Sequence, residues 1–176
     1  MALLTQVAAP QHHSLDVIDL GCGTGLVGVA IAPFSRALTG VDLSPRMVEK
    51  SRERGVYSKV VCDDIVRMLA DWPDHSVDVL TSADVFIYIG KLEAVMSQAQ
   101  RVLRPGGRIA FSVETLPADA GQPYRLETSG RYSQSMAYLD GLASGAQFTA
   151  EASQTCVIRQ EADTSVAGHL LVWRRT

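Results

Sequence analysis

Short apolar runs alternate along the chain with longer punctuated or amphipathic segments, a pattern that predicts a parallel β-sheet with helical crossovers on both faces. The first run, residues 15–20, is closed by Gly21; an apolar helix-length segment, 26–32, follows and is stopped by Pro33. Residues 38–41 predict a second strand ending at Asp42. Ser44 and Pro45 then supply an N-cap and a first-turn proline for a charged helix over 46–54, with Gly55 just past its end. Further strands are predicted over 59–62, 77–81 and 109–113, and further helices over 65–70 and 90–103. In the last helix Leu92, Val95, Met96, Ala99, Val102 and Leu103 fall on one face.

Beyond Glu114 the pattern changes. Residues 114–131 are polar and carry Pro117, Gly121, Pro123 and Gly130, which predicts a long excursion over the sheet edge. Long loops of this kind in a compact domain commonly carry function. A helix over 133–143, an extended stretch over 154–159 and a last strand over 169–173 follow. The two closing strands, joined by the polar turn 161–165, are expected to pair antiparallel.

Composition narrows the class. The chain has 176 residues, 47% hydrophobic and 20% charged, which suits one folded domain over 1–176 that buries roughly 70% of its unfolded surface. Sixteen Lys+Arg against 19 Asp+Glu leave a net charge of -3, so the electrostatic footprint of a nucleic-acid binder is missing. Cys22, Cys62 and Cys156 form no CxxC pair, and reduced cytoplasmic thiols with no metal are expected. The N-terminal stretch has no Lys or Arg ahead of its apolar residues and is expected to form a short helix within 1–13 rather than a signal peptide. The uncharged stretch 20–35 contains four glycines and a proline and falls short of the ~20 apolar residues of a membrane span.

The segment from Val17 to Gly25 carries the most chemistry. Gly21, Gly23 and Gly25, directly after a buried strand, let the backbone turn sharply and approach a ligand. The same residues, with Gly28, satisfy the dinucleotide pattern GxGxxG. Asp19 argues against a dinucleotide, because a carboxylate beside the loop repels a pyrophosphate and attracts an ammonium or sulfonium.

Asp19-Leu-Gly-Cys-Gly-Thr-Gly25 resembles the first motif of class I S-adenosylmethionine (SAM)-dependent methyltransferases, and later segments match in order. Gly40-Val-Asp42-Leu-Ser-Pro-Arg-Met47, Cys62-Asp63-Asp64-Ile65, Thr81-Ser-Ala-Asp84-Val-Phe and Leu103-Arg-Pro-Gly-Gly107 resemble the family's subsequent motifs. Residues 111–114, 124–126 and 129–135 are similar to a branch sometimes fused to tetratricopeptide repeats; no such repeat occurs in this chain. The resemblance implies an α/β fold: a Rossmann-like three-layer sandwich with a mostly parallel seven-stranded sheet whose last strand is antiparallel.

It also implies roles. Asp42 would accept the two hydroxyl hydrogens of the SAM ribose, with Leu43 and Met47 beside it. Either Asp64 or Asp63 would accept from the adenine amine, Asp64 being preferred, and the Ile65 N–H would donate to the ring. Asp19 would orient the loop and the methionine ammonium, Gly21, Gly23 and Gly25 would form the cradle, and Ala83 and Asp84 would line the methionine end. Tyr88, Tyr124, Arg125, Arg131 and Tyr132 are the candidate contacts to the methyl acceptor, expected to be a small molecule. No general base stands out, since His12, His13, His75 and His169 fall outside the strand ends. About fourteen residues precede the first strand, fewer than in many family members. Cover for the cofactor is therefore expected to be shortened, supplied by the excursion, or supplied by a second copy in a homodimer.

Overall fold

The computed structural model describes residues 2–8, 11–161 and 164–176. Its centre is a sheet in which β1 (Leu15–Leu20), β2 (Ser35–Asp42), β3 (Lys59–Cys62), β4 (Val77–Ser82) and β5 (Leu103–Thr115) run parallel in the order β3-β2-β1-β4-β5. Buried Val17, Ile18 and Leu20 make β1 the apolar centre of this array, as a strand covered on both faces requires. β9 (Thr164–Arg175) pairs antiparallel with β5 over 108–114, and β8 (Phe148–Glu161) pairs antiparallel with β9. These seven strands are the expected sheet, including the antiparallel closing pair.

Two further strands bring the total to nine among the described residues. The excursion folds into a small hairpin, β6 (Tyr124–Leu126) and β7 (Tyr132–Gln134), and β7 joins the end of β5 through Glu114 and Thr115. The predicted helix over 133–143 accordingly starts later. α6 runs Met136–Gly145, capped by the Ser135 hydroxyl, which accepts from Tyr138 N at 3.1 Å. The segment Pro105-Gly106-Gly107 belongs to β5: Val77 faces Leu103 while Val79 faces Arg108, so residues 104–107 bulge out opposite Asp78, with Gly106 at φ 79°.

Helices cover both faces. α1 (Ala2–Ala8) and α2 (Leu26–Ile31) bury Leu4 and Ile31 against Val17, Leu38, Val79 and Val172. On the opposite face α4 (Ile65–Ala70), α5 (Glu93–Val102) and α6 bury Leu69, Met96 and Leu139 against Leu80, Ile109 and Trp173. α3 (Pro45–Glu53) packs Val48 against Val60 and Cys22 beside β2 and β3. No helix of the described residues is long and apolar enough to cross a membrane.

Candidate active site

The carboxyl ends of β1, β2, β3 and β4 and the segments that follow them surround a cleft of roughly 790 Å³. Every cofactor position named above except Gly25 lines it: Asp19, Gly21, Gly23, Asp42, Leu43, Met47, Asp64, Ile65, Ala83 and Asp84. Open parallel sheets place ligands at this end of the strands. Gly25 sits behind the loop as the left-handed residue (φ 83°) that starts α2, where a Cβ would lie 2.9 Å from Arg54 Cγ.

Asp42 is held by the backbone on both sides. Its Oδ2 accepts from Gly23 N at 2.9 Å and its Oδ1 from Ser44 N at 2.9 Å. The cap of α3 is Ser44, not Asp42. Each carboxylate oxygen keeps further lone-pair capacity toward the cleft. The bond from Gly23 also ties the glycine turn to the end of β2, so the two motifs form one wall. Gly21 (φ 68°) closes that wall against the next one: a Cβ there would lie 2.2 Å from Val85 Cγ2.

Asp64 and Asp63 separate by orientation. Asp64 lines the cleft and caps α4, its Oδ1 accepting from Val66 N at 2.9 Å and Arg67 N at 3.0 Å. Asp63 lies outside the cleft lining and pairs with Arg67, whose Nε donates to Oδ1 at 2.6 Å. The cap and the preferred adenine contact are thus the same residue, with Oδ1 spent on the helix.

Asp19 lines the cleft yet is only 1% exposed. Two hydroxyls satisfy it: Tyr57 Oη donates to Oδ2 at 2.7 Å and Thr81 Oγ1 to Oδ1 at 2.8 Å. Burial pushes its carboxyl up to about 6, the two hydroxyls pull against that, and the charge of Asp42 adds to the rise. Burial likewise pushes the neighbouring Cys22 thiol up to about 11, leaving it inert at neutral pH.

Asp84, at the end of β4, adopts the left-handed conformation (φ 59°), and its N–H donates to Ser112 Oγ at 2.8 Å. Aspartate tolerates this geometry better than most residues. It turns the chain into a 3-10 segment, Phe86–Tyr88, that carries Tyr88 and Ile89 to the cleft. Tyr88, Leu26 and Leu43 are 63%, 67% and 69% exposed and give the cleft an apolar rim.

The other acceptor candidates sit behind this segment. Tyr124 and Tyr132 pack edge to face, with ring centroids 6.1 Å apart, against Gly90, where a Cβ would lie 2.7 Å from Tyr132. Arg125 pairs with Glu127. Neither these three nor Arg131 line the cleft. Gln134, fully buried, donates from Nε2 to Phe86 O at 3.1 Å and Ile89 O at 2.9 Å. Tyr138 accepts from Leu92 N at 2.8 Å and donates to Glu93 at 3.0 Å. The hairpin and α6 therefore brace the segment 86–92.

Reading the motifs missed Tyr57, Thr81 and Gln134. Thr81 was within a matched motif, and Gly28 and Gly40 hint at Tyr57, whose ring occupies the space their missing side chains leave. Gln134 falls in the matched segment 129–135, but no local pattern marks its bonds to residues 86 and 89. The four histidines lie outside the cleft, and no cluster of three metal-ligating side chains occurs among the described residues.

The chain is similar to known methyltransferases. A family model described as "Methyltransferase domain" matches residues 18–111. The demethylmenaquinone methyltransferase of Tropheryma whipplei is 31% identical over 112 residues, 63% of this chain and 47% of that protein. The 27-O-demethylrifamycin SV methyltransferase of Amycolatopsis mediterranei is 35% identical over 112 residues, covering 60% and 41%. The chain spans less than half the length of these two relatives. Among solved structures, the 1,6-didemethyltoxoflavin-N1-methyltransferase of Burkholderia thailandensis, with its substrate and S-adenosylhomocysteine (SAH) bound, superposes with a TM-score of 0.77 at 19% identity, covering 99% of this chain and 76% of that one. With the family model spanning more than half of the 176 residues, the chain belongs to the methyltransferase domain family.

Proposed function

We propose that this chain is a SAM-dependent methyltransferase that methylates a small-molecule acceptor. The observation that carries the reading is the charge of the cleft: Asp19, Asp42, Asp64 and Asp84 line it, and no lysine, arginine or histidine does among the described residues. Such a lining suits a ligand with an ammonium and a sulfonium and opposes the pyrophosphate of a dinucleotide. A carboxylate pinned by two N–H groups at the end of β2 suits a vicinal diol, at about 1.5–3 kcal/mol per charge-assisted bond. Asp64 Oδ2 and the Ile65 N–H are the adenine contacts in this reading, and Asp19 faces the methionine ammonium.

When bound, SAM supplies an electrophilic methyl carbon to which the acceptor's lone pair bonds as the carbon–sulfur bond breaks and its electron pair stays on sulfur. The chain's part is to hold the acceptor about 3–3.5 Å from that carbon, in line with the bond that breaks. Tyr88 and Ile89, fixed by Gln134, form the wall on which the acceptor rests, with Leu26 and Leu43 completing an apolar rim. The relatives' names, which include a quinone precursor and a rifamycin precursor, support a small molecule as acceptor.

Thermal shift with SAM, SAH and NAD tests the reading. A ligand at 100 times its Kd stabilises by about 2.7 kcal/mol. SAM and SAH are expected to raise the melting temperature and NAD to leave it unchanged; a shift with NAD alone would overturn the assignment. Formation of SAH with a metabolite pool distinguishes an enzyme from a silent SAM-binding subunit, and binding without turnover would establish the latter.

A further inference from the structure

Beneath the glycine turn lies a residue outside every matched motif. Tyr57, in the connection between α3 and β3, is threaded between two glycines. A Cβ at Gly28 would lie 2.1 Å from its hydroxyl oxygen, and one at Gly40 would lie 3.0 Å from ring carbon Cε1. The ring can pass Gly28 only because that position lacks a side chain, a Cβ at Gly40 would crowd it, and its hydroxyl emerges 2.7 Å from Asp19 Oδ2. Thr81, on β4, holds the other carboxylate oxygen at 2.8 Å.

We propose that Tyr57 is a positioning residue of the cofactor site: acting through Asp19, its hydroxyl keeps that carboxylate charged and aimed at the amino group of the bound cofactor. The inference rests on the SAM reading of the cleft. A buried carboxylate retains its charge only where donors offset the loss of water. The groups facing Asp19 are few. β2 presents the Asp42 carboxylate and the glycine turn presents Cys22, a neutral thiol; β4 presents the Thr81 hydroxyl, and the α3–β3 connection presents Tyr57. Arg54, the C-cap of α3, donates its Nε to the Thr24 carbonyl at 2.9 Å. Burial, and then the charge of Asp19, push the Tyr57 phenol above its ordinary range, so it stays a donor through neutral pH. Two hydroxyls therefore do the work that a basic side chain does elsewhere, and a ligand ammonium completes the set. With the Tyr57 hydroxyl removed, Asp19 keeps one donor, its protonation extends to higher pH, and the proton competes with the ammonium for the same oxygens.

Calorimetric titration of the whole chain with SAH between pH 5.5 and 8.5 tests this, comparing the natural protein with Tyr57→Phe and Asp19→Asn. The Phe variant is expected to bind at least fivefold more weakly at pH 6.5 and to recover to within twofold of the natural protein at pH 8.5. The Asn variant is expected to lose the acid limb of the profile. A Tyr57→Phe deficit that is the same at every pH, or no deficit at all, would overturn the proposal. Should Tyr57→Phe fail to fold, Thr81→Val removes the opposite hydroxyl and must raise the midpoint in the same direction; an unmoved midpoint counts equally against it. Absence of SAH binding by the natural protein at every pH would instead overturn the cofactor reading beneath.

Discussion

The two walls of the cleft are built by different means. The wall formed by the turn after β1 and the end of β2 is a short-range construction: Asp42, Gly23 and Ser44 satisfy one another within 22 residues of chain. The wall carrying Tyr88 and Ile89 is held from a distance, by Gln134 and Tyr138, which lie 45 to 48 residues further along the chain. In the proposed reading the first wall holds a ligand part that is constant, the ribose and its neighbours. The second rests on a hairpin and a helix outside the matched family segment of 18–111. Gly21 against Val85 is the point where the two meet.

The largest expected effect separates the walls energetically. Gln134→Leu removes the buried donor to the Phe86 and Ile89 carbonyl oxygens, of which Phe86 O keeps the Ile89 N–H at 3.1 Å, and should cost about 2 kcal/mol in denaturant unfolding. SAM affinity should stay within twofold, and a collapse of affinity would show that the walls are one unit. A smaller effect is set by pH. The folded value of Asp19, about 6, lies above the ordinary 3.8, so its contribution to folding is complete below about pH 4 and is lost as pH rises through about 6. Binding of an ammonium runs the opposite way: affinity for SAM should fall about fourfold from pH 7.5 to 5.5, the fraction of Asp19 that stays charged. A flat binding profile would detach Asp19 from the ligand. The smallest effect is at the rim. Tyr88→Ala removes an exposed ring and should change stability by no more than about 0.5 kcal/mol and SAM affinity by less than twofold, while raising the KM of the acceptor. An unchanged KM would move the acceptor off that wall.

The same contrast explains what could be read from the residues alone. β1, the glycine turn, β2 and the cap of α3 were legible because each is a contiguous stretch with its own punctuation, from Gly21 to Ser44 and Pro45. β8 was legible only in part, expected over 154–159 and observed as Phe148–Glu161. Its pairing with β9 shifts register between Ala150 and Ala152 and again between Val157 and Arg159. Each shift interrupts the period of two on which strand recognition depends. The hairpin of 124–134 is not legible as strands, because each is only three residues long and only β7 joins the sheet, through Glu114 and Thr115, with β6 paired to β7. Tyr57 was invisible for a related reason: its partner is 38 residues away, and the only local trace is the absence of side chains at Gly28 and Gly40.

Calorimetric titration of SAM into the natural chain and into Asp42→Ala tests the central claim most directly. One SAM is expected to bind per natural chain, and the variant should bind it more than tenfold more weakly, a loss of at least about 1.4 kcal/mol. No SAM binding by the natural chain, or equal affinity in the two proteins, would contradict the assignment of this cleft.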